Sequence, residues 1–178
     1  MANTAQKVQL KNVRLSFPNL FKRGNFNGEE TKYEATFILD AQEHKDTIAK
    51  LNGLIAECVK ELKVKKLGDD RLCLKDGDDF DRPEYEGKFT LKAASNSRPL
   101  VIDRDKTPVA EEDNVVYAGC YVNAIVSLWI QDNKWGKRVN ANLHGVQFFK
   151  DGEPFGDSKV DVDDFDAFDD EDDFDDIV

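Results

Sequence analysis

The residues best suited to do chemistry lie between positions 115 and 149, where the chain alternates. One parity, Cys120, Val122, Ala124, Val126, Leu128 and Ile130, is apolar throughout. The other carries Tyr117, Tyr121, Asn123, Ser127 and Trp129, with Ile125 among them. The turn DNKWG crowns this segment with Lys134, Trp135 and Lys137. The returning segment sets Arg138, Asn140, Asn142 and His144 opposite its own apolar Val139, Ala141 and Leu143. Flat rings interleaved with cations and amides suit a ligand made of planar groups on a phosphate backbone. Rings accept base faces, Lys and Arg neutralise phosphate, and Asn140 can bond a base edge or a sugar. A plainer reading competes, because outward aromatics on a small barrel also pack beneath a loop, a helix or a second subunit.

A second patch follows the first apolar segment. It contains Phe17, Phe21, Lys22, Arg23, Phe26, Lys32 and Tyr33, and is preceded by Lys11 and Arg14. Residues 1–66 hold 12 basic and 8 acidic side chains, and residues 114–150 hold 4 and one. Both flanks are therefore mildly positive around an acidic middle, although a run of Lys and Arg is often only solvated surface. The third element is the C-terminal segment 157–178, with 12 acidic residues and one basic. It carries the whole net charge of −11, and residues 1–156 sum to zero, with 24 side chains of each sign. An acidic pI therefore does not argue against a polyanionic partner of the body. Such a segment is expected to be disordered. Phe165, Phe168 and Phe174 punctuate it, and it ends Phe174-Asp175-Asp176-Ile177-Val178, an apolar tip on a charged tether that reads as a docking peptide.

Catalytic and metal chemistry find no support in the spacing. GxSxG, P-loop and HExxH patterns are absent, and no Cys–His pair stands at a credible distance. DGDDFD resembles part of a calcium loop, but counting from Asp76 puts Asp81 at the position needing Gly and Gly87 at the position needing Glu. Three isolated cysteines, Cys58, Cys73 and Cys120, with only His44 and His144 beside them, build no zinc site and suit reduced thiols. No apolar run spans a bilayer and MANTAQKVQL has no apolar secretory core, so a cytosolic location is expected. No cofactor is expected.

These residues need a scaffold. KVQLKNVRLSF (7–17) alternates but changes phase near Lys11–Asn12, so the first strand should bulge there. YEATFILD reads as a second strand and KFTLKAAS as a short one. Asp40-Ala41-Gln42-Glu43 fits a capping box that opens a helix. Ile48, Leu51, Leu54, Ile55, Cys58, Val59 and Leu62 supply that helix's core stripe, and Gly68 lies beyond its lysine-rich end. About five strands with one inserted helix predict a mainly β (α+β) fold, an OB-like five-stranded barrel. The expected organisation is a domain over 1–156 and a tail over 157–178.

The tail tip DDFDDIV resembles the acidic, hydrophobic-ended tip of bacterial single-stranded DNA-binding proteins, which recruits replication and repair enzymes. The body resembles a family of tailed-phage single-stranded DNA-binding proteins with an OB-fold. The resemblance runs through VRLSFPNLF (13–21), KYEATFIL (32–39), LKDGD (74–78), YEGKFTLKAAS (85–95), RPLVIDR (98–104), VYAGCYVNAIVSLW (116–129) and GVQFFKDGEPFG (145–156). It departs at DNKWGKRVNANLHG, where the family pattern is richer in glycine and asparagine. The resemblance implies a non-enzymatic coat for single-stranded DNA during replication, recombination or repair. Its tail would recruit a polymerase, nuclease or recombinase, and a second copy of the chain is a further candidate partner. The DNA-binding candidates are Lys11, Arg14, Phe17, Phe21, Lys22, Arg23, Tyr33, Tyr121, Trp129, Lys134, Trp135, Lys137, Arg138 and Asn140. The rival reading, an acidic DNA mimic or chaperone-like protein, needs carboxylates spread over a folded surface, not gathered in one segment.

Overall fold

The computed structural model describes residues 6–155. The tail candidates Phe165, Phe168, Phe174, Asp175, Asp176, Ile177 and Val178 lie outside the described residues. In chain order the strands are β1 (Val8–Asn19), β2 (Asn25–Phe26), β3 (Glu29–Glu30) and β4 (Tyr33–Asp40). After helix α1 (Lys45–Glu61) come β5 (Leu74–Asp76), β6 (Lys88–Ser95), β7 (Leu100–Ile102), β8 (Tyr121–Asn133) and β9 (Gly136–Lys150). Five of them form a ring, β6–β4–β1–β8–β9, closed by a parallel seam of Ala93 with Ala141 and Ala94 with Asn142. Closure removes the exposed edges that an open sheet would present.

The seam has a consequence for the surface. Beside it Leu72 bridges to Val139, the Cys73 N–H donates to the Val139 carbonyl at 2.9 Å, and the Lys92 N–H donates to the Cys73 carbonyl at 3.1 Å. The connection between α1 and β6 is thus stitched into the barrel wall.

Alternation places one face of each long strand inside. Leu10, Val13, Leu15, Phe37, Leu39, Leu91, Val122, Val126, Leu128 and Leu143 fill the barrel, all essentially without solvent contact. Helix α1 buries Ile48, Leu51, Ile55 and Cys58, with Leu62 beyond its end, and packs on β8 and β9. It is scaffold, as its stripe predicts. Among the described residues no helix is long and apolar enough to cross a membrane.

The bulge in β1 falls where the phase change puts it. Pairing with β8 slips between Leu10 and Val13, and Asn12 adopts φ 54°. A second irregularity was not legible: pairing with β4 slips between Ser16 and Asn19, with Phe17 at φ 47°.

The helix boundaries differ from expectation. Asp40 Oδ1 does accept from the Gln42 and Glu43 N–H groups, at 2.9 and 3.0 Å, but it caps a turn, and the helix begins at Lys45. The turn is occupied by His44, whose Nδ1 accepts from the Asp40 N–H at 2.8 Å. With Nδ1 an acceptor, Nε2 carries the proton and donates to the Lys11 and Asn12 carbonyls at 2.9 and 3.1 Å. His44 therefore pins the helix entry to the bulge. At the other end Lys63, at φ 60°, ends the helix, and Gly68 instead precedes a short 3-10 turn at Asp69–Arg71.

Candidate nucleic-acid interface

The outer face of the β8–β9 hairpin is built of directly opposed pairs, Trp129 with Asn140 and Gln131 with Arg138. Strand parity sends all four outward, and the Asn140 amide donates to Gln131 Oε1 at 3.0 Å. They line a groove of about 640 Å³ that also receives Lys32, Glu34 and Thr36 from β4 and its approach, and Thr90, Lys92 and Ala94 from β6. Phe17, Asn19, Arg71, Lys75, Phe80, Arg82 and Tyr85 also line it, with Asp70, Leu72, Cys73 and Ala141. Of the sequence candidates, the structure brings together Phe17, Trp129, Arg138 and Asn140.

Trp129 is 37% exposed, and the Lys32 ammonium lies 5.4 Å from its ring. Six cations, Lys32, Arg71, Lys75, Arg82, Lys92 and Arg138, face two carboxylates, Glu34 and Asp70. On a body whose charges sum to zero, that local excess focuses positive potential into the concavity. Lys92 sits 3.5 Å from Glu34, and Arg71 3.8 Å from Asp70. Each pair has one largely exposed partner, Lys92 and Asp70, so both hold weakly and can yield to phosphate. Arg138 is more firmly placed, donating to the Asp70 carbonyl at 3.1 Å.

The remaining candidates stand elsewhere. Lys134 and Trp135 form the hairpin tip, where Trp135 is 72% exposed and the Lys134 ammonium lies 5.0 Å from its ring. The Trp135 carbonyl accepts from Arg71 at 3.4 Å, so the tip adjoins the end of the groove. Lys137 is turned away and donates to the Leu62 carbonyl at 2.9 Å, a cation at the negative end of α1. Phe21 packs at the core margin beneath Arg98, Arg23 lies 5.2 Å over Tyr33, and Lys22 pairs with Glu111 at 3.4 Å. None of these four, on the first loop and at the start of β4, lines the groove. Lys11 is exposed at the bulge, beside Glu43 and Asp46 at the helix entry, and does not line the groove.

Arg14 and Tyr121 have a structural occupation. Arg14 Nε donates to the Gly119 carbonyl at 3.0 Å and an Nη to the Glu153 carbonyl at 2.6 Å, with the guanidinium 4.0 Å over Phe155 and 5.7 Å over Tyr121. Tyr117 Oη donates to Asp151 Oδ1 at 2.8 Å. Burial foremost, then that carboxylate, raises the Tyr117 pKa. Gly119, at φ 108°, allows the close approach, since a Cβ there would lie 2.2 Å from the Glu153 carbonyl oxygen. Together they strap residues 151–155 to the barrel.

Sequence reasoning missed Arg71, Lys75, Phe80, Arg82 and Lys92. Lys92 had a signal, the outward parity of KFTLKAAS. Phe80 and Arg82 stand in an acidic stretch with no strand or helix period, so composition there does not point to a polyanion site. Among the described residues no cluster of His, Cys, Asp or Glu is placed to hold a metal ion. Cys73, at the groove floor, has its thiol pushed up to about 12 by burial.

A closed five-stranded barrel with a cationic, aromatic groove across its outer wall defines an OB-like binding barrel. The family described as "Enterobacter phage Enc34, ssDNA-binding protein" matches residues 6–175, and the chain belongs to that family. A solved structure titled as the single-stranded DNA-binding protein from bacteriophage Enc34 in complex with ssDNA is 35% identical, with a TM-score of 0.77 over 85% of this chain and 90% of that one. Protein p50 of Acyrthosiphon pisum secondary endosymbiont phage 1 is 39% identical over 172 residues, covering 90% of this chain and 92% of its own. The gp2.5 single-stranded DNA-binding protein of bacteriophage T7 is 16% identical with a TM-score of 0.53, covering 90% of this chain and 99% of that one, and shares the fold.

Proposed function

We propose that this chain binds single-stranded DNA in the Trp129 groove and coats it during phage replication, recombination or repair in the bacterial cytoplasm. It is a binding protein with no catalytic centre, and its binding has no strong sequence preference, since stacking tolerates every base. The observation that supports this most is the convergence of Trp129, Asn140 and six cations on one groove of a body with no net charge. A rigid duplex cannot follow a short concave track, whereas a single strand bends into it. The acidic segment 157–178 competes with DNA for this groove and, when displaced, docks a polymerase, nuclease or recombinase through Phe174, Ile177 and Val178. Gel shifts with single-stranded and duplex oligonucleotides of equal length test the first part. A clear preference for the single strand is expected, and equal affinity for both would contradict it.

A further inference from the structure

Phe17 stands where β1 leaves its register with β4, at φ 47°. A bulky residue with no short polar side chain resists this left-handed region, so something must hold it there. Burial does not, because the side chain is 51% exposed. What holds it is the segment before β6. Ser16 Oγ and Tyr85 Oη share a buried hydrogen bond of 2.8 Å, and Phe80 meets the Tyr85 ring edge-on at 5.3 Å. Gly77 fits that segment closely, since a Cβ there would lie 2.0 Å from the Tyr85 carbonyl oxygen. Arg82 then lays its guanidinium over Phe17 at 4.3 Å. The kink, the ring and the cation are one built unit, and Phe17, Phe80 and Arg82 all line the groove.

We propose that the β1 kink serves to present Phe17 with Arg82 as a second base-stacking platform, separate from Trp129. This rests on the groove being the single-stranded DNA site. A guanidinium lying on one ring face leaves the opposite face, or its own outer plane, to a base and brings a phosphate donor beside it. Arg82 also pairs with Glu84 at 3.4 Å, an exposed contact that a phosphate can replace.

The test uses the full chain. Phe17→Gly removes the ring and relieves the backbone, since glycine adopts positive φ without cost from a Cβ. Its thermal midpoint should equal or exceed that of the parent, while affinity for oligo-dT falls about 5- to 150-fold, the range for losing one stacked base. Phe17→Leu keeps bulk and strain but not the flat ring, and should lose affinity likewise. Phe17→Trp should retain it. Arg82→Ala should lower affinity and flatten the salt dependence. Unchanged affinity in Phe17→Leu, beside a clear loss in Trp129→Ala, would overturn the second platform and leave the groove reading standing. Unchanged affinity in both would overturn the groove itself.

Discussion

Single residues divide into those that meet a ligand and those already committed to the fold. Trp129 and Lys137 are both hairpin aromatics or cations in sequence, yet one faces the groove and the other caps α1. Trp129→Ala should weaken single-strand binding by about 1–3 kcal/mol with little change in melting temperature, read by anisotropy and calorimetry. Lys137→Ala should do the reverse, lowering the melting temperature and leaving the salt dependence of binding alone. The division was half legible. Parity identified the outward set on β8 and β9 and put Lys137 on the side of Val139, away from Arg138, but not the carbonyl that receives it, because Leu62 is distant in sequence. The same limit explains Arg14, whose partners Gly119 and Glu153 come from the far end of the chain. Thiols give an independent check. Burial raises all three cysteine pKa values. A thiol reagent should therefore leave Cys58, Cys73 and Cys120 unmodified in the native protein at neutral pH and label all of them after unfolding.

Elements owe their positions to a few fastenings between distant pieces. Asp40 ends β4, accepts from Lys88 Nζ on β6 at 2.6 Å, and caps the turn into α1. The Lys88 hydrogen bond, followed by the Glu43 and Gln42 N–H groups, lowers its pKa well below the ordinary 3.8. A depressed carboxylate stabilises the fold above its unfolded pKa, and this contribution is lost as pH falls towards the folded value. Asp40→Asn should therefore lower the melting temperature at pH 7, with a gap from the parent that narrows below pH 4 and is followed by thermal melts across pH. The strands YEATFILD and KFTLKAAS were fully legible, since alternation alone bounds them. The connection over residues 67–87 was not. It has no period, and its place in the barrel wall comes from pairing with Val139 and Lys92, which no local pattern announces. Eight of the 21 residues that line the groove, from Asp70 to Tyr85, were hidden for that reason.

At the scale of the whole molecule, charge is partitioned between a neutral body and a segment of −11. Arg14 and Tyr117 hold residues 151–155 beside β1 and β8. The proposed competition needs the segment 157–178 to come over the groove, and 22 residues of unstructured chain span roughly 25 Å. Deleting residues 157–178 should tighten DNA binding most at low salt, where screening is weakest, and abolish recruitment of partner enzymes. Removing only Ile177 and Val178 should spare the DNA effect and lose the partner. The most direct test of the central claim uses Trp135→Phe, which leaves Trp129 as the sole tryptophan of two. Titrating it with single-stranded and duplex oligonucleotides across a salt series reads stacking and phosphate neutralisation together. The expected result is quenching of Trp129 by the single strand, with log K falling against log salt at a slope of roughly −3. That slope corresponds to about four phosphates at −0.7 each. Tight single-strand binding that leaves Trp129 unquenched, or that ignores salt, would contradict the account.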